Sequence, residues 1–184
     1  MSKYSNIVIE TSRLILRPPM LEDLQHWIRF AGHEETMRYL GGVHSPSMAW
    51  RSLMTAIGSW VAEGYAMFSV IEKSSGQWMG RIGPWQPLEW PGTEVGWGLH
   101  ADHWRRGYAL EAAAATIDWS FENLHWSQVI HTIAAENVAS IALAEKLGSR
   151  YQRQAILPAP MNLEVGVWQQ TREQWADNRH RLGL

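Results

Sequence analysis

The chain has 184 residues, 46% hydrophobic and 18% charged, which predicts one folded domain over 1–184 with a sizeable core. A formal net charge of −2 argues against a protein that grips nucleic acid through its overall charge, and the absence of cysteine excludes disulfides, thiolate metal sites and cysteine nucleophiles. The amino terminus, MSKYSNIVIE, lacks a signal-like apolar stretch and no run of about 18 apolar residues could span a membrane, so the expected compartment is the cytoplasm.

Along the chain, strands alternate with helices. Ser12–Pro18 alternates like a strand that Pro18 ends. Leu21, Leu24, Ile28 and Ala31 recur at helical spacing up to Gly32. A second helix starts at Ser45-Pro46, a cap residue followed by proline, with an apolar stripe at Trp50, Leu53, Met54, Ile57 and Val61. Residues 65–72 and 77–85 read as a hairpin turning at Lys73-Ser74-Ser75-Gly76, and the proline- and tryptophan-rich GPWQPLEWPG as a loop. A strand over 93–99 leads through Arg105, Arg106 and Gly107 into a long helix whose predicted face is Leu110, Ala113, Ala114, Ile117, Phe121 and Leu124. A strand over 128–135 follows, then a helix capped near Asn137 and ended by Gly148. Two strands over 149–157 and 161–170 and a short helix starting at Thr171 close the chain. Hairpins mixed with strand-helix-strand units predict an α/β or α+β sandwich around a mixed sheet. The twelve tryptophans should fill core and groove walls, with a few left for an aromatic-lined pocket.

The turn Arg105-Arg106-Gly107 has two readings. A helix start exposes unpaired N–H groups and the positive end of the helix dipole, and a glycine there lets a phosphate come close. The plainer reading is an ordinary helix start with solvated arginines. Neither G-x-x-x-x-G-K-[ST] nor G-x-G-x-x-G is present to suggest a nucleotide loop of a familiar kind.

Four motifs in order carry a family resemblance: TSRLILRP, EVGWGLHADHWRRGYALEA, ENVASIALAEKLG and VWQQTREQW. Together they resemble the GNAT-fold N-acetyltransferases, and within them the RimJ/RimL-like branch, the ribosomal-protein N-terminal acetyltransferases. The resemblance covers nearly the whole chain. It implies a GNAT fold: a mixed central sheet with a splayed fourth strand and helices on both faces. It implies acetyl-CoA as co-substrate, no metal, an amine acceptor that is a small molecule or a protein N-terminus, and a homodimer as a common assembly.

Carried over by position, the pyrophosphate loop is Arg105, Arg106, Gly107, Tyr108 and Ala109. The strand that pairs with the pantetheine arm is Trp97, Gly98 and Leu99, and Asn137 lies near the pantetheine or thioester end. This sequence departs from the family pattern at several places. Trp104 stands where the broad family has Gln or Arg, Ala101 replaces a proline, and Ser149 replaces a phenylalanine. Ala144 stands where many members place the tyrosine that protonates the leaving thiolate.

The implied chemistry is attack of an amine on a thioester, which needs a base for the ammonium and a donor for the thiolate. Glu94, at the start of the splayed strand, is the expected base, against the reading of a solvated strand-end carboxylate. His100 and His103 are second choices for that role, and two histidines are too few for a metal site. A thiol pKa of only about 8.5 makes the thiolate a fair leaving group, so a hydrogen bond from Ser140 could suffice. The alternative for Ser140 is a helix hydroxyl bonding its own backbone. Tyr108 and Tyr151 are other candidate donors, and Glu111 is explained by the helix dipole. Trp85 and Trp90 either clasp the acceptor or cover the sheet edge. The expected function is acetyl transfer to a primary amine, most simply an α-amino group, in a ternary complex; the alternative is a non-catalytic acyl-CoA sensor or partner-binding protein.

Overall fold

In the computed structural model, which describes residues 7–182, one eight-stranded sheet runs through the chain. Strands β1 (Ile9–Glu10), β2 (Leu14–Arg17), β3 (Phe68–Glu72), β4 (Trp78–Trp85) and β5 (Glu94–Leu99) form an antiparallel half. Strands β6 (Gln128–Ile133), β8 (Glu164–Thr171) and β7 (Arg150–Ile156) form the other, in that spatial order. The two halves join through one parallel contact, Glu94 opposite Ile130. The sheet is thus mixed, and its fifth strand, the fourth of the strands expected from the sequence, parts from its neighbour after a single bridge.

Helices cover both faces. Helix α4 (Tyr108–Asn123) packs its small residues Ala112, Ala113 and Ala114, with Ile117 and Phe121, onto Leu16, Phe68, Val70, Ile82 and Val95. Alanines let the helix axis approach the sheet closely. The opposite face carries α1 (Leu24–Ala31), the short α2 (Glu34–Met37) and α3 (Pro46–Ala62), with Trp27, Phe30, Met37, Leu53, Ala56 and Trp78 packed together. Helix α5 (Val138–Lys146) packs on β6, and α6 (Arg172–Leu182) on β8.

Local signals act as their chemistry dictates. The Ser45 hydroxyl accepts from the Met48 N–H to cap α3, with Pro46 in the first turn. Gly32 ends α1, and Thr171 caps α6 by accepting from the Gln174 N–H at 3.3 Å. The expected apolar stripe of α3 is rotated. Ala49, Leu53, Ala56 and Trp60 face the core, whereas Trp50 and Val61 are 47% and 61% exposed. The Trp60 indole explains the rotation, since it donates to the Met67 carbonyl at 3.1 Å and packs against Phe68. On α4, Leu110 and Leu124 are only half-buried, while Glu111 is buried at its first turn.

Candidate active site

A continuing parallel ladder would pass from the Glu94–Ile130 bridge to a bond between the Thr132 N–H and the Val95 carbonyl. Side chains take both groups instead. The Thr132 N–H donates to the Glu94 carboxylate at 3.1 Å, and the His131 Nδ1 donates to the Val95 carbonyl at 2.7 Å. The Trp97 and His131 rings then fill the angle between the strands, 4.6 Å apart. The ladder stops, and the next donor along β5, the Trp97 N–H, faces the open cleft.

The alternation of β5 sorts the three residues expected to meet the pantetheine arm. Trp97 and Leu99 turn their backbone groups toward the cleft, while Gly98, opposite Arg81, turns its own toward β4. The Leu99 carbonyl already accepts from the Trp104 indole at 2.8 Å. Gly98 matters through its missing side chain, because a Cβ there would lie 3.0 Å from Phe30 Cζ and 3.1 Å from Leu40 Cδ1.

Glu94 is 6% exposed. Burial pushes its carboxyl up to about 7, against the hydrogen bonds from Thr132 and Trp90 and the attraction of Arg81. The Thr132 hydroxyl lies 3.0 Å from each carboxylate oxygen, and the Trp90 indole donates to Oε2. A carboxyl poised near neutrality can take a proton from an ammonium, which a solvated strand-end carboxylate would do poorly. Trp90 is therefore part of the Glu94 cradle, and Trp85, opposite Glu94 in the ladder, shares its face. Thr132 is absent from the sequence-based expectations, because only the β5–β6 register brings it 38 positions back to Glu94.

Ser140 lies in the first turn of α5, where its N–H is capped by the Asn137 side chain at 3.2 Å. Its hydroxyl oxygen accepts from the Trp97 indole at 3.1 Å. Among the described residues its proton has no acceptor, so it does not back-bond along the helix. Ala144, one turn on, is fully buried. The tyrosines proposed as alternative donors are elsewhere. The Tyr108 hydroxyl donates to Glu72 on β3, and Tyr151 packs on Trp168 on the far side of β8. His100 and His103 are buried, and burial lowers the pKa of both. Among the described residues no cluster of three or more His, Cys, Asp or Glu side chains is placed to hold a metal ion.

At the mouth of α4, Arg105 and Gly107 take left-handed backbone conformations, φ 60° and 79°. No side chain caps the helix, so the first N–H groups of Tyr108 and Ala109 have no protein acceptor there, and the exposed Arg105 and Arg106 flank them. Uncapped N–H groups, the dipole and two cations fit a pyrophosphate. Glu111 does more than favour the dipole. Its carboxylate accepts from the Thr11 and Ser12 hydroxyls and from the backbone and side chain of Arg13, at 2.6 to 3.0 Å. Arg13 in turn donates to the Arg106 carbonyl at 2.9 Å and lies 4.4 Å over the Tyr108 ring. The loop is thus tied from beneath to the start of β2. No local sequence signal links positions so distant.

The mixed sheet thus parts at β5 and β6, with the buried Glu94 carboxyl where they separate and the uncapped start of α4 beyond the other end of β5. Residues 13–150 match the family model of the acetyltransferase (GNAT) domain, and the chain belongs to that family. Its chemistry is transfer of the acetyl group of acetyl-CoA to an amine. The chain is 29% identical over 150 residues to the uncharacterized N-acetyltransferase p20 of Bacillus licheniformis, covering 80% of this chain and 83% of that one. It is 32% identical over 99 residues to the uncharacterized protein YkkB of Bacillus subtilis, a match that spans about half of each chain, 53%. The acetyltransferase from Agrobacterium tumefaciens has the same fold, with a TM-score of 0.81 at 27% identity over 94% of this chain and 98% of that one.

Proposed function

We propose that this protein acetylates a primary amine, most simply an α-amino group, by direct attack on acetyl-CoA in a ternary complex, with Glu94 as the base. The observation that carries the reading is the Glu94 carboxyl, bonded by Thr132 and Trp90 where β5 and β6 part and pushed up to about 7 by its burial. The turn Arg105–Ala109 cradles the pyrophosphate. The Trp97 and Leu99 backbones, with Asn137 nearby, hold the pantetheine arm, and the Trp97 N–H polarises the thioester carbonyl. Glu94 takes the ammonium proton, directly or through water, and the amine nitrogen bonds to the carbonyl carbon. As the carbonyl re-forms and the C–S bond breaks, the nitrogen gives up its second proton to the departing thiolate, which the Ser140 hydroxyl hydrogen-bonds, so an acid such as tyrosine at 144 is not required.

The Trp97 indole supports this role for Ser140 by occupying one lone pair of the oxygen and leaving the proton to point outward. The acceptor enters on the face shared by Glu94, Trp85, Gly96 and Gly98. The four sequence motifs support the RimJ/RimL-like branch. The test is CoA release from acetyl-CoA across a panel of peptides, amino acids and amines, with product mass confirmed. Turnover lost in Glu94→Gln supports the reading. Cofactor binding without turnover of any acceptor would replace it with an acyl-CoA sensor.

A further inference from the structure

Across β2, β3 and β4, on the face that α1 covers, the ladder aligns Arg17, Ser69 and Arg81, with Gly98 next on β5. Of the two arginines in this row, only Arg17 has a carboxylate partner, the buried Asp23. Asp23 takes both terminal nitrogens of Arg17, at 2.7 and 2.8 Å, and also the Ser69 hydroxyl and the Met20 N–H. Arg81 makes none of these bonds.

Arg81 is half-buried, with its guanidinium carbon 5.5 Å from the Trp27 ring centre and 5.8 Å from that of Phe30. Among the described residues no carboxylate forms an ion pair with it and no group accepts its hydrogen bonds. The neighbouring Trp27 indole N–H is also without an acceptor. Taking a guanidinium out of water without a counter-charge is unfavourable, and aromatic faces compensate only in part. Glu94, the proposed base, attracts it from the same face, its carboxylate reaching along the strand to within 3.5 Å of where a Gly96 Cβ would lie.

We infer that Arg81 binds the carboxylate of the acceptor, so that the substrate is a free amino acid whose amino group lies at Glu94 and whose carboxylate lies against the guanidinium. This rests on the acetyl-transfer reading of the site. The planar fork of an arginine suits a carboxylate, and its stack on Trp27 and Phe30 fixes its orientation. A zwitterion also fits the charges: its two ends meet a general base and an unpaired cation, and no second carboxylate stands in the row to repel it. A peptide or protein N-terminus carries an amide at that place and leaves Arg81 unpaired.

The test compares each standard L-amino acid with its carboxamide, which stands for a peptide N-terminus, in wild type, Arg81→Met and Arg81→Lys, at saturating acetyl-CoA. The amide has the more acidic ammonium, so more of it is neutral, and chemistry alone favours it. The expected result is a free acid preferred by about tenfold or more in kcat/KM, with Arg81→Met raising its KM by about tenfold and leaving the amide nearly unchanged. Arg81→Lys should retain part of the preference. Amides used as well as acids, or an equal loss on both in Arg81→Met, would overturn the inference and leave acetyl transfer standing. If nothing is acetylated, the CoA-saturated proteins are titrated with the same compounds by tryptophan fluorescence. Binding of a free acid that Arg81→Met abolishes would uphold the carboxylate site while the transfer reading fails; no binding of any free acid would sink the inference. The methionine keeps an apolar stem over Phe30, and near-ultraviolet circular dichroism checks that the variant is folded.

Discussion

Thr132 gives its backbone N–H to the Glu94 carboxylate, not to the Val95 carbonyl that a regular parallel ladder would offer. One bond therefore opens the sheet and holds the proposed base. The strand cannot close without stripping Glu94 of a donor, and the carboxylate cannot move without freeing the strand. Replacing Thr132 with valine removes the hydroxyl and keeps the shape and the backbone bond. A donor to the ionised form is lost, so the Glu94 pKa should rise by about one unit or less. The pH–rate profile of Thr132→Val should shift to higher pH with its plateau largely retained.

Glu94 also sets a stability profile. Its folded pKa, about 7, lies above the ordinary 4.5, so between these values the folded state binds more protons than the unfolded state. Stability from this group is full at low pH and falls as pH rises through the window. Glu94→Gln carries no such charge. The stability of the variant relative to wild type should improve from pH 4.5 to pH 8, by on the order of 3 kcal/mol at most, seen as a relative rise in melting temperature. Thermal melts at the two pH values measure it, and a constant difference would show that folding leaves the Glu94 pKa at its ordinary value.

The Ser140 hydroxyl is oriented by the Trp97 indole, and the Asn137 side chain holds the Ser140 backbone N–H in place. Ser140→Ala should lower kcat roughly tenfold while the KM for acetyl-CoA changes little, because the hydrogen bond strengthens only as the thiolate forms. An unchanged kcat would remove Ser140 from the chemistry and leave it a structural residue of the first turn.

The turn before α4 should answer to charge. Arg105→Ala with Arg106→Ala should weaken acetyl-CoA binding roughly ten- to a hundredfold, and added salt should narrow the gap between variant and wild type. Trp97 and Trp104 both lie beside the cleft, so a fluorescence titration reads it directly. Gly107→Ala should be worse than its size suggests, because φ is 79° there and the new Cβ would lie 3.4 Å from Arg13 Nη2.

Much of this was legible in the sequence, and the misses share a cause. Caps and turns such as Ser45-Pro46, Asn137 and Gly107 act over a few residues, so their chemistry places them directly. The Glu94 position followed from the motif order, since it starts the strand that parts. Thr132 and the Glu111–Arg13 tie could not be read, because their partners are set by register and packing across the sheet. The stripe of α3 failed for a related reason. Trp50 and Trp60 offer similar hydrophobicity, and only the carbonyl waiting at Met67 decides which one turns inward. Arg81 looks like any strand arginine until the ladder shows that Asp23 is already taken.

The most direct measurement is the pH dependence of kcat/KM for the best acceptor in wild type and Glu94→Gln. The wild-type rate should rise with pH through a limb near pKa 7 ahead of the acceptor's own ionisation. In Glu94→Gln that limb should vanish and the rate should fall by at least about a hundredfold at neutral pH. A limb that persists in the variant, or a rate that hardly changes, would mean that the proton leaves by another path and that the buried carboxyl serves only to hold the strands apart.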